Sequence, residues 1–63
     1  MTFGEKLKRF RLMNDIRQED MAETLNISRA TLINYEKGHT TINIDVLDNL
    51  KIAYPDFAME ENI

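Results

Sequence analysis

Residues 18–38 decide the fold: Gln18-Glu19-Asp20-Met21-Ala22-Glu23-Thr24-Leu25-Asn26-Ile27-Ser28-Arg29-Ala30-Thr31-Leu32-Ile33-Asn34-Tyr35-Glu36-Lys37-Gly38. The stretch holds two short helical patterns and one break between them. In the first pattern Met21 and Leu25 form an i, i+4 apolar pair, and Ala22 is small enough for another helix to cross closely. Glu19 and Asp20 put negative charge in the opening turn, where the helix dipole favours it. Arg17 stands at the cap position of this helix and is a poor cap. Asn26 accepts the left-handed backbone that ends a helix, and Ile27 then offers an apolar plug from the turn. In the second pattern Ser28 is a good N-cap, Leu32 and Tyr35 fall on one side at i, i+3, and Gly38 sits just past the end. Helices are therefore expected over 18–25 and 28–37, joined by a tight turn.

Working outward, Thr2 and Glu5 have the spacing of a capping box, so a helix is expected over 2–14. Phe3, Leu7 and Phe10 form its apolar stripe, and Lys6, Lys8 and Arg9 a solvated face. Asn14-Asp15 closes it in place of the usual glycine. On the other side, His39 to Ile42 form a polar loop. Asn43 caps a helix over 43–53 in which Ile44, Leu47 and Leu50 point inward, and Pro55 stops it. The acidic tail, 54–63, has room for a short fifth helix. The nearest approach to a strand, Ile42-Asn43-Ile44, is too short to count. The fold class is all-α: one domain, 1–63, built as a compact four- to five-helix bundle around two helices in the helix-turn-helix layout.

Composition bounds the function. A 63-residue chain buries only about 60% of its unfolded surface and gains stability from partners. There is no cysteine to build a disulfide framework or a Cys-based zinc site. No apolar run reaches the roughly 18 residues of a membrane span. The start, Met1-Thr2-Phe3-Gly4-Glu5, has no signal-peptide pattern, so a cytoplasmic protein is expected. His39 is the only histidine and has no companion ligand or base; there is no Ser/His/Asp set and no glycine-rich phosphate loop. A catalytic role, a metal, a cofactor and a small-molecule substrate are all unsupported. The net charge is −3 and the pI about 4.9, whereas nucleic-acid binders are usually basic. The acidity is local, however. Residues 1–38 carry seven Lys/Arg against six Asp/Glu, and residues 39–63 one against five. A phosphate-binding face in the first half remains open, while a broad positive field does not.

In register, Phe3-Gly4-x-x-Leu7-x-x-x-Arg11, Gln18-Glu19-x-Met21-Ala22-x-x-Leu25, Ile27-Ser28-x-x-x-Leu32, Glu36-x-Gly38 and Leu47 make the chain resemble the Xre/Cro-type helix-turn-helix domains of phage repressors, plasmid regulators and restriction controllers, over about residues 3–54. The resemblance implies that helix 28–37 enters the DNA major groove and that members pair as dimers on half-sites about one helical turn apart. It also implies that Gln18 braces both a phosphate and the recognition helix, that the loop after that helix runs along phosphates, and that Arg11 and Glu36 form a structural ion pair. Arg17 replaces the usual Ser or Thr cap, Asp15 and Asn26 the usual turn glycines, and Ile42 the usual loop proline.

The candidate recognition residues are Arg29, Ala30, Ile33 and Asn34, on one side of their helix. Arg can read guanine and Asn adenine, and Ala30 and Ile33 can meet a thymine methyl. Candidate phosphate contacts are Arg17, Gln18, Ser28, Thr31, Lys37, His39, Thr40 and Thr41. Two functional classes fit this face. One is a phage- or plasmid-type transcription regulator that reads an operator. The other, motivated by the low pI and by Ile33 facing outward, is an antirepressor or modulator that docks the same helix on a repressor's helix-turn-helix; an antitoxin combining both activities is a third possibility.

Overall fold

The computed structural model describes residues 1–63 and is all-α. Its helices are α1 Phe3–Met13, α2 Gln18–Thr24, α3 Arg29–Lys37, α4 Ile44–Ala53 and α5 Pro55–Glu61. The first four start and stop within a residue of the bounds expected from spacing, which count the caps as helix.

Each start has a local cause. Thr2 Oγ1 accepts from the Glu5 N–H at 3.2 Å, and Glu5 Oε1 accepts from the Thr2 N–H at 2.9 Å. This reciprocal cap holds the Glu5 carboxyl below its ordinary pKa, chiefly through the Thr2 backbone N–H. Ser28 Oγ accepts from the Thr31 N–H at 3.1 Å, and Asn43 Oδ1 from the Asp45 N–H at 2.8 Å. The helix ends are equally local. Asp15, Asn26 and Gly38 take positive φ of 55°, 57° and 76°. Asx side chains tolerate that backbone, so the chain leaves α1 and α2 without glycine.

Leu7, Met21, Ala22, Leu25, Leu32, Leu50 and Phe57 form the buried core, which draws on all five helices. Gly4 fixes how closely α1 meets α3. A methyl group there would collide with the carbonyl oxygens of Tyr35 and Glu36, the latter at 2.6 Å, so only glycine allows the crossing.

Two expectations need correction. Ile44 does not point inward: it is 67% exposed, and Val46, Leu47 and Leu50 supply the inner face of α4. The tail is also more than an acidic end. It folds as α5, with Pro55 in its first turn, and drives Phe57 fully into the core. Phe57 packs on Phe10 at 5.1 Å between ring centroids and edge-on to Phe3 at 5.9 Å, while Phe10 also meets Tyr54 at 5.8 Å. No helix is long and apolar enough to cross a membrane.

Candidate functional site

The turn between α2 and α3 sets the site. The Ile27 N–H donates to the Ala22 carbonyl at 2.9 Å, closing α2 around the left-handed Asn26 and tucking Ile27 against the core. Ser28 then starts α3. Leu32, Tyr35 and Glu36 face inward, so Arg29, Ala30, Ile33 and Asn34 lie on the outer side. Lys37 extends the same stripe, four residues beyond Ile33 and eight beyond Arg29.

Arg29, Ala30 and Asn34 are exposed, whereas Ile33 is half-buried. Ile33 thus offers less apolar surface than an outward-facing isoleucine on an isolated helix. Its neighbours on the stripe shield part of it and leave a small apolar step between Arg29 and Asn34.

Behind this face runs a continuous polar relay. Arg11, buried, donates from Nε to Glu36 Oε2 at 2.7 Å and from Nη2 to Glu36 Oε1 at 3.2 Å. Its remaining nitrogen, Nη1, donates to the Ile16 carbonyl at 3.0 Å, which ties down the α1–α2 loop. Gln18 Nε2 donates to Glu36 Oε1 at 3.2 Å, and Gln18 Oε1 accepts from Arg29 Nε at 3.2 Å. The amide of Gln18 is thereby oriented from both sides. Arg29 keeps its two terminal nitrogens outward while its Nε is held, a geometry suited to a bidentate contact on a guanine edge. The contacts of Gln18 could not be read from sequence, because its partners lie 18 and 11 residues away and the choice among many polar candidates is made by packing.

The phosphate candidates divide by how free they are. Ser28 Oγ and Thr31 Oγ1 lie 2.9 Å apart and share one hydroxyl hydrogen, leaving the other for an outside acceptor. Lys37, His39, Thr40 and Thr41 are exposed at the end of α3 and in the following loop, and their side chains make no hydrogen bond within the chain. All their donors are available.

Arg17 is less available. Its Nε and Nη2 donate to the two Asp20 carboxylate oxygens at 2.8 and 3.3 Å, and Glu19 lies 3.7 Å away. The Asp20 hydrogen bonds, then the charges of Asp20 and Glu19, raise the Arg17 pKa above its ordinary value. A phosphate contact from Arg17 has to compete with those carboxylates.

The chain matches the family model described as Helix-turn-helix over residues 7–54, most of its length. That span runs from Leu7 to Tyr54 and contains Arg11, Glu36 and all of α2 and α3. No curated protein and no solved structure matches the chain.

Proposed function

The chain belongs to the Xre/Cro-type, phage-repressor-like helix-turn-helix family of DNA-binding regulators, and from that premise we propose that it is a sequence-specific transcription regulator of phage or plasmid type, acting in the cytoplasm of a bacterial or phage-infected cell. In this reading α3 lies in the major groove of an operator. Arg29 and Asn34 read base edges, Ala30 and the exposed part of Ile33 meet thymine methyls, and Gln18, Ser28, Thr31, Lys37, His39, Thr40 and Thr41 approach phosphates. Arg17 joins them only where a phosphate displaces Asp20.

The observation that carries this reading is the hold on Arg29. A guanidinium bonded through Nε to Gln18, which is itself bonded to the buried Glu36, is oriented before any ligand arrives. Ordering a rotamer-rich side chain on binding costs about 0.5–1.5 kcal/mol, and here part of that cost is met in folding. The acidity beyond α3 is compatible with such a role, because the anions of residues 39–63 belong mostly to α4 and α5. The antirepressor reading through the same helix draws on Ile33 as an apolar anchor, and the half-burial of Ile33 weakens that argument.

The test uses duplexes selected from a randomised library and fluorescence anisotropy. Asn34→Ala is expected to flatten the preference at one base pair by about 1–3 kcal/mol while leaving binding to unrelated duplexes unchanged. Lys37→Ala is expected to weaken all duplexes alike and to reduce the log–log salt slope by about 1. Failure to retain any duplex at low salt contradicts the proposal.

A further inference from the structure

Two helix faces on the outside of the domain are apolar and opposite in charge, and nothing in the chain covers either. On α1, Lys8 and Leu12, and Arg9 and Met13, are i, i+4 pairs on the side away from Leu7 and Arg11. Leu12 is 56% and Met13 71% exposed. With Glu5 these four line a shallow groove. On α4, Ile44, Asp48 and Ile52 follow one another at i, i+4, i+8, with Asp45 alongside. Ile44 is 67% and Ile52 79% exposed, so two isoleucines stand out about 12 Å apart along the helix with aspartates between and beside them.

The ions on both faces are unpaired. The chain's ion pairs join Lys6 to Glu61, Arg11 to Glu36, and Arg17 to Glu19 and Asp20, leaving Lys8, Arg9, Asp45 and Asp48 without a partner. The two groups of contrary sign on these faces are not free to oppose the pattern. The Glu5 carboxylate is engaged with the Thr2 N–H, and Lys51 is half-buried at the edge of the α4 stripe.

We propose that these faces are the two halves of one head-to-tail contact, in which α1 of one copy of the chain seats on α4 of the next. The charge complementarity points to a second copy and to this pairing. Cations and a groove on α1 meet anions and protruding isoleucines on α4, whereas α4 against α4 sets aspartates against aspartates and α1 against α1 sets Lys8 and Arg9 against themselves. A contact between two different patches is heterologous, so it repeats and does not close as a two-fold dimer. Faces of this length bury less than the roughly 1,600 Å² of a standard interface, so the contact is weak in free solution and effective between copies held side by side. If the operator reading holds, copies so joined keep one orientation and favour directly repeated sites over inverted ones. The self-association itself does not depend on that reading.

Sedimentation of the DNA-free chain from about 10 μM to about 1 mM, the range a weak interface demands, tests the contact directly. The native chain is expected to show an average mass that climbs past that of a dimer and falls back in high salt. Leu12→Ser and Ile52→Ser are solvent-facing changes whose helicity is checked by circular dichroism. Each alone is expected to stay monomeric, and an equimolar mixture of the two is expected to form a one-to-one dimer and stop there, because the mixture contains one intact α1 face and one intact α4 face. A native chain that stays monomeric throughout, a dimer that survives Leu12→Ser, or a mixture that remains monomeric overturns the proposal.

Discussion

Glu36→Ala is expected to lower the stability of the domain by about 3–5 kcal/mol, because it leaves the buried Arg11 guanidinium without its counter-charge. A chain of this size has a total stability of about 3–9 kcal/mol, so the variant should be largely unfolded at growth temperatures. Thermal melting followed by circular dichroism measures the loss. The companion variant is more informative. Replacing both partners, Arg11→Met with Glu36→Leu, removes the uncompensated charge and substitutes apolar contact of similar volume. It is expected to regain most of the lost stability. It should not regain DNA binding, because Gln18 then has no acceptor at Glu36 and Arg29 loses its brace. A double variant that melts like the native chain and binds DNA equally well would show that the relay has no role beyond holding the fold.

Phe57→Ala is expected to cost about 3–5 kcal/mol, the range for truncating a fully buried aromatic ring to a methyl group. For a domain of this length that lowers the melting temperature by more than about 12 °C. The edge-on contact with Phe3 and the tilted one with Phe10 are lost together, so α5 should detach and expose the outer end of α1. Met59→Ser on the same helix is the control. Met59 is 79% exposed, and the change should stay within about 0.5 kcal/mol. Equal effects at the two positions would contradict the packing described for α5.

The contrast between Phe57 and the helix caps marks what the sequence could convey. Thr2, Ser28, Asn43, Asp15, Asn26 and Gly38 act within three or four residues of themselves, and their spacing alone places α1 to α4 nearly to the residue. Phe57 acts across 54 residues on Phe3 and 47 on Phe10, and one aromatic in an acidic tail carries no periodic signal to reveal it. Ile44 failed for a different reason. Ile44, Val46, Leu47 and Leu50 admit two inward faces, one through Ile44 and one through Val46, and only the packing of α4 on its neighbours selects Val46. On the recognition side, the outer stripe of α3 follows from helical spacing, whereas the partners of Gln18 and the capture of Arg17 by Asp20 are side-chain choices that spacing leaves open. The buried link between Arg11 and Glu36 came within reach only through family resemblance, since 25 residues separate them.

The central claim is that α3, with Arg29 held by Gln18, is the surface that reads DNA. Amide chemical-shift mapping of the 63-residue chain with a library-selected duplex at low salt tests it most directly. The largest changes are expected at Gln18, at Arg29 to Asn34 and in the loop from Lys37 to Thr41, with α4 around Asp48 and Ile52 unmoved. Changes centred on α4 or α5, or none at any duplex concentration, would contradict it.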